Sequence, residues 1–381
     1  MSRHVAANRT SGHFDSDNVV PNSLSPTRVD LKTLDRIELE CLAAEMREPA
    51  YRGRQMFEWL YGKGAASFDE MTNLPLRFRE KLHETHRIGK IDPEQISTSV
   101  DGTTKALVRL ESGLHVEAVL IPDVVDGDIR RLTACVSSQV GCAMACAFCA
   151  TGTMGFHQNL TSGEIFDQAR LMNELAVERY GRGLTNIVYM GMGEPLLNYA
   201  NVVKSLRIIS DPSGLDISPK RITVSTVGIS RRIRHLADDD PGVRLAVSVH
   251  APTDAQRSAI MPVNRAARTD LAALRAALEY YWSKTSRDVT YEYCLFDGVN
   301  DSDADARALA EIVQWIPSKV NLIMYNPVGG LPFERTSDER VNQFVRVLVK
   351  KRVTVTIRKS RGDDIAAACG QLAVREESSA G

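Results

Sequence analysis

Apolar residues recur three and four positions apart in three early segments: LKTLDRIELECLAAEM from Leu31, RGRQMFEWLYGKG from Arg52 and LPLRFREKL from Leu74. That is the period of helices with one buried face, and it predicts a small helical module over residues 31–92. Between Glu94 and Leu120 the period falls to two, as in TKALVRL and LHVEAVLIP, which predicts a short antiparallel sheet, a β extension over 93–131. Residues 1–30 carry Ser, Asn and Asp without apolar periodicity and read as a disordered tail, and 373–381 read as a shorter tail at the other end.

From Leu132 the pattern alternates. Strand-like LTACVSS, LTNIVYM, RITVST, VRLAVSV, DVTYEYCLF, VNLIMY and RVTVTIR are separated by helix-like segments such as TSGEIFDQARLMNELAVERY and ERVNQFVRVLVK. The spacing of Thr161 and Glu164 is that of a capping box. Repeated strand-then-helix units predict an α/β core over 132–372, a partial (β/α)6 barrel with parallel strands. In such barrels ligands sit beyond the carboxyl ends of the strands. Several of those ends are polar here. GMGEP supplies Gly191 and Gly193, where backbone can approach a ligand, and Glu194, which can accept hydrogen bonds from an ammonium group. Ser225 and Thr226, then Ser248 and His250, then Asn326 follow at later strand ends. Each alone also suits an ordinary turn or a satisfied structural side chain, but four polar ends opening on one mouth point to a binding site.

The same mouth receives GCAMACAFCATG, in which Cys142, Cys146 and Cys149 can converge from one loop with no fourth ligand nearby. A closed zinc site takes four protein ligands, and a fully protein-ligated cubane takes four thiolates. Three thiolates imply a 4Fe-4S cluster with one open iron, the alternative being a structural zinc knuckle. Cys135 and Cys369 lack cluster spacing, and Cys41 and Cys294 read as small buried hydrophobes.

Composition narrows the setting. A chain of 381 residues allows roughly two to three domains. Seven unevenly spaced cysteines and no charged-then-apolar leader predict a cytoplasmic protein in a reducing compartment. The apolar runs fall short of the ~20 residues that span a bilayer. A net charge of −1 does not announce a nucleic-acid partner. Two local groups could track phosphates: Lys220, Arg221, Arg231, Arg232 and Arg234, then Lys350, Lys351, Arg352, Arg358, Lys359 and Arg361. Solvated helix faces explain either group equally well.

Together, AYRGRQMFEWLYGKGAASFDEMTNLP, VEAVLIP, CVSSQVGCAMACAFCATG, YMGMGEPLLN, ITVSTVGI, VSVHAP, IMPVN, GVND, YNPVGGLP and RKSRGDDIAAACGQL resemble the RlmN/Cfr family of radical S-adenosylmethionine (SAM) RNA methyltransferases. The resemblance implies a radical SAM barrel whose cluster, on Cys142, Cys146 and Cys149, chelates SAM through the open iron. It assigns SAM binding to Gly193, Glu194, Ser225, Ser248, Val249, His250 and Asn326. It also implies that Cys369 is methylated by one SAM and that a second gives a 5′-deoxyadenosyl radical, which takes hydrogen from that methylthioether. The carbon radical adds to adenine, Glu117 accepts a proton, and Cys135 closes a disulfide with Cys369 to release product.

Such a route has a physical reason. Adenine C2 lies between two ring nitrogens and is electron-poor, so it does not attack SAM, whereas a carbon radical adds there. GEPLLN and RKSRGDD resemble the branch that methylates C2 in 23S rRNA, at the peptidyl-transferase centre, and in tRNA, next to the anticodon. The other branch methylates C8 of 23S rRNA; a non-catalytic RNA-binding protein with a structural metal is the alternative of a different class. The resemblance further implies two SAM per turnover, a flavodoxin-like electron donor, no membrane partner and a monomer.

Overall fold

The computed structural model describes residues 28–262 and 269–374. Most of the expected N-terminal tail, Val263 and Asn264 of IMPVN, and the last seven residues lie outside the described residues. The tail assignment is corrected at its end. Val29–Asp30 forms a strand, β1, paired in parallel with β2 (His86–Arg87), and Asp30 accepts the Gly89 N–H at 2.8 Å.

Three short helices follow: α1 (Arg36–Glu45), α2 (Tyr51–Phe57) and α3 (Leu76–Thr85). A reciprocal capping box of Asp35 and Glu38 starts α1. Its buried residues are Leu39 and Ala43, so Cys41, midway between them in sequence, turns outward and is exposed. The expectation of a buried Cys41 is therefore wrong; Cys294 is buried as expected.

The main sheet has ten strands. Strands β3 (Asp92–Thr98), β4 (Thr104–Arg109), β5 (His115–Val125) and β6 (Asp128–Cys135) run antiparallel as a meander. Beyond β6 the sheet turns parallel through β9 (Asn186–Tyr189), β10 (Ile222–Thr226), β11 (Arg244–Ser248), β12 (Val289–Leu295), β13 (Ser318–Met324) and β14 (Val355–Arg358). The β extension is thus continuous with the barrel sheet and not a sheet of its own. A separate hairpin-like pair, β7 (Gln139–Gly141) and β8 (Phe156–Asn159), brackets the cysteine loop.

Helices α4 (Ala150–Thr153), α5 (Ser162–Tyr180), α6 (Tyr199–Ser210), α7 (Ser230–Asp239), α8 (Asp254–Ile260), α9 (Leu271–Thr285), α10 (Asp303–Val313) and α11 (Asp338–Lys350) complete the chain. Six strand–helix repeats run from β6 to α11, and β14 adds a seventh parallel strand at the edge. Strand β12, VTYEYCL, is buried along nearly its whole length, as a strand covered on both faces must be. No helix among the described residues is long and apolar enough to cross a membrane.

A buried ion pair helps dock the helical module onto the barrel, and Arg36–Asp211, Lys204–Glu38 and Arg207–Asp35 join the two nearer the surface. Lys32 Nζ donates to both Asp167 carboxylate oxygens at 2.7 Å, on α5, and both side chains are buried. Tyr61 Oη donates to the Lys32 and Leu34 carbonyls. At Gly163 a Cβ would come within 2.6 Å of the Lys32 backbone, so the close approach needs glycine. Removing one partner of such a buried pair costs about 3–5 kcal/mol, because a charge is left uncompensated. We expect Lys32→Met to lower unfolding stability in urea by about 3 kcal/mol and Lys32→Met/Asp167→Leu to recover most of it. An unchanged midpoint for the single variant would contradict this role.

Candidate active site

The cysteine loop is shaped by tight backbone contacts. Gly141 has φ 68°, and a Cβ there would lie 1.8 Å from the Gly155 carbonyl, which accepts the Cys142 N–H at 2.7 Å. Ala147 N–H donates to the Ile260 carbonyl, and Cys149 N–H to the Cys146 carbonyl. All three thiols line one cavity of about 1000 Å³, counting its open mouth, a size suited to a small ligand. Phe148 packs edge-on to His250 with centroids 5.0 Å apart, and against Phe296 at 5.1 Å.

The same cavity is lined by Gly193, Glu194, Ser225, Ser248 and His250, from strand ends across the sheet, and by Cys369 from the C-terminal segment. Glu194 is 2 % exposed and accepts the Val227 and Leu196 N–H groups at 2.8 and 3.0 Å. Burial pushes its carboxyl up to about 7 against those hydrogen bonds and one from Thr226, so an ammonium ligand would find an acceptor that gains by ionising beside it. The glycines of GMGEP line the cavity and also have a packing task. At Gly191 and Gly193 a Cβ would lie 2.8 Å from the Val136 backbone and 2.5 Å from Gln139 Cβ, so they pack this turn onto the segment entering the cysteine loop.

His250 sits at φ 53°, and its Nδ1 accepts the Cys294 N–H at 2.9 Å. Burial, with Arg257 adding to it, pulls the ring down to about 3, so it is neutral and carries its proton on Nε2. Val249 is fully buried, and its N–H donates to the Glu292 carbonyl. It is not among the residues that line either cavity.

A smaller side cavity adjoins the first and is lined by Cys135, Asn326 and Cys369 among others. Cys369 therefore faces both. Its segment is pinned to the cysteine loop: Ala150 N–H donates to the Gly370 carbonyl at 2.8 Å, and Thr151 Oγ1 to the Leu372 carbonyl at 2.6 Å. Asn326 Nδ2 donates to the Cys369 carbonyl at 3.1 Å, so this amide holds the cysteine segment. Burial pushes the Cys135 thiol up to about 12.

Glu117 is not on either cavity wall. It is buried at 4 % exposure, 2.8 Å from Lys105 Nζ, and accepts the Ala373 N–H at 3.0 Å. The basic groups also differ from expectation. Lys220 and Arg221 precede β10, at the end remote from the cavity, while Arg232 and Arg234 lie over the Tyr199 and Tyr280 rings. Arg358 lines the cavity instead of facing solvent. Sequence reasoning missed Arg358 and Glu292 as site residues, although Glu292 stands out as an acid inside the apolar run TYEYCLF.

The donor set fits a cubane better than a single ion. Among the described residues no three His, Cys, Asp or Glu side chains converge tightly enough to hold one metal ion, as closed zinc sites require. Thiolates that each address a different iron stand further apart, and the three free thiols share one cavity wall.

Comparison with known proteins agrees with this geometry. Residues 136–310 match the radical SAM superfamily and residues 29–88 the ribosomal RNA large subunit methyltransferase N-terminal domain. The fold is that of a radical SAM enzyme. The chain is 58 % identical to the probable dual-specificity RNA methyltransferase RlmN of Salinibacter ruber, over 91 % of this chain and 94 % of that protein. It is 47 % identical to the dual-specificity RNA methyltransferase RlmN of Nitratidesulfovibrio vulgaris (strain Miyazaki F), over 91 % and 95 %. A crystal structure of a radical SAM methyltransferase from Sphaerobacter thermophilus superposes with TM-score 0.82 and 45 % identity, covering 90 % of this chain and 99 % of that one. The chain belongs to the RlmN family of radical SAM enzymes.

The Glu194 carboxyl gives a pH signature in cofactor-free protein. Its folded pKa is raised from 4.5 to about 7, so the folded state binds the proton more tightly than the unfolded chain. Stability relative to Glu194→Gln is fully present below pH 4.5 and falls as pH rises through 7, by on the order of 3 kcal/mol. Urea titrations of both proteins across that window should show the difference; parallel curves would contradict it.

Proposed function

We propose that the protein methylates C2 of adenine in 23S rRNA and in tRNA, using Cys369 as the carrier of the new carbon. One observation carries this reading: Cys369 lines both the cavity of the three loop thiols and the side cavity of Cys135. When bound, a 4Fe-4S cluster and SAM supply the methyl group and the 5′-deoxyadenosyl radical, with two SAM per turnover.

The chain's own residues do the rest. Cys142, Cys146 and Cys149 hold the cluster and leave one iron open. Glu194 accepts hydrogen bonds from the SAM ammonium, while Gly193, Ser225, Ser248, His250 and Asn326 border the remainder of the ligand. A neutral His250 adds no positive charge beside a sulfonium. The Cys369 sulfur takes the methyl group of the first SAM, with S-adenosylhomocysteine as the leaving group, and later carries the carbon covalently to adenine. Covalent attachment turns a meeting of two molecules into an intramolecular step. Cys135 then attacks the Cys369 sulfur.

Glu117 takes the proton from the adduct. Its carboxylate is occupied by Lys105 and the Ala373 N–H, so it reaches the base after Ala373 moves aside. Exposed Lys359, just beyond the carboxyl end of β14, suits a contact to the RNA backbone, and the target adenine must leave its stack to enter the mouth. A flavodoxin-like protein supplies electrons, and the enzyme works in the cytoplasm as a monomer.

The test uses RNA from a strain lacking the protein, complemented with variants. Wild type should restore a methyl group at adenine C2 in both 23S rRNA and tRNA; restoration at C8 would overturn the regiochemistry. Cys369→Ala should lose methylation by at least about a hundredfold, on the order seen when a covalent catalyst is removed, while keeping the cluster's visible absorbance. Full activity of that variant would exclude the carrier role. Cys135→Ala should accumulate a covalent protein–RNA adduct, and turnover without an adduct would exclude its part in release.

A further inference from the structure

Arg358 has no part in the account above, yet it lies where the two cavities meet. It ends β14, paired through Ile323 of β13, and lines both the main cavity and the side cavity together with Cys369 and Met190. Its Nη1 donates to Met190 Sδ at 3.3 Å. The backbone N–H of the same Met190 is directed at the Cys135 sulfur. Cys369, Glu292 and Cys135 are the groups whose charges act on the guanidinium, Cys369 most strongly.

The guanidinium is poorly neutralised for a group in this position. Its hydrogen-bond partner is a thioether and not a carboxylate. Glu292 gives one oxygen to Asn321 Nδ2 at 2.9 Å, and its other oxygen has no hydrogen-bond partner. An arginine stays charged at any working pH, so a permanent cation faces two sulfurs in a partly buried position. Charges act strongly on one another there.

We propose that Arg358 is a positioning residue for the Cys135–Cys369 exchange, its guanidinium held on Met190 so that Cys135 attacks as the thiolate. The proposal rests on the carrier and release roles given above to Cys369 and Cys135. In that step the Cys135 thiolate attacks Cys369 Sγ. The Sγ–Sγ bond forms and the bond from Cys369 Sγ to the transferred carbon breaks. The electron pair of the broken bond goes to that carbon, which takes a proton and becomes the methyl group. An external dithiol afterwards reduces the disulfide. Burial and the neighbouring Cys369 sulfur oppose this chemistry, since both disfavour the Cys135 anion, and Arg358 acts in the other direction.

The experiment uses cluster-reconstituted full-length protein and an RNA hairpin substrate, comparing wild type with Arg358→Met, Arg358→Gln, Arg358→Lys and Cys135→Ala. Two readouts are taken: decay of the protein–RNA adduct in a single turnover, and the iodoacetamide alkylation rate of Cys135 by peptide mass spectrometry. In Arg358→Met and Arg358→Gln we expect 5′-deoxyadenosine and adduct to form while adduct decay and Cys135 alkylation each slow about tenfold, with Arg358→Lys recovering most of both. Adduct decay and alkylation at wild-type rates in either folded neutral variant would overturn the role of Arg358 while leaving Cys135 intact. Absence of an adduct in Cys135→Ala would overturn the release reading and this proposal with it.

Discussion

The site depends on holding one cysteine segment against another loop from far away in the chain. Thr151 Oγ1 and the Leu372 carbonyl, 221 residues apart, meet at 2.6 Å, and the Ala150 N–H reaches the Gly370 carbonyl. On its far side the segment is strapped by the β extension. Lys105 Nζ donates to the Ala366 carbonyl, Ser99 Oγ to Asp364, and Gly362 N–H to Asp101. Gly362 and Gly370 take positive φ at either end, so the chain turns in and out over a short distance. The carrier role proposed for Cys369 requires it to lie close to where the radical would form, and these contacts keep Cys369 at the same cavity as the loop thiols.

The same contacts give the antiparallel strands a purpose. Because β3 to β5 continue the barrel sheet through β6, the strap is as rigid as the barrel that carries the strand ends. Glu117 belongs to this strap: it ties Lys105 and Ala373 together behind Cys369. Loosening the segment and freeing the carboxylate proposed as proton acceptor are then one motion. Burial sets the polarity of the mouth. It keeps His250 neutral and holds Glu194 near its ionisation point, and each of these changes what charge the cavity offers a ligand.

Much of the barrel was legible in the sequence because strand and helix periods alternate cleanly from Leu132, and the Thr161–Glu164 capping box lies where its spacing says. The three loop cysteines were legible because ligand spacing within one loop is local. What depends on long-range packing was not. The GMGEP glycines look like a ligand cradle in sequence, and only the structure shows that Gly193 is also required by its packing on Gln139. Cys41 looks like core and faces solvent, since its neighbours Leu39 and Ala43 own the buried side of α1. Arg358 looks like one more charge in a basic run. Only the pairing of β14 with β13 turns it inward, beside Met190.

The central claim is that the transferred carbon passes through Cys369, and isotope labelling tests it most directly. Protein isolated after methylation of Cys369 from SAM bearing a trideuterated methyl group would be given unlabelled SAM and RNA for a single turnover. The account predicts deuterium in 5′-deoxyadenosine and a new adenine methyl group that keeps the remaining two deuterium atoms. Methylated RNA carrying the carbon of the unlabelled SAM, with no deuterium in 5′-deoxyadenosine, would contradict it.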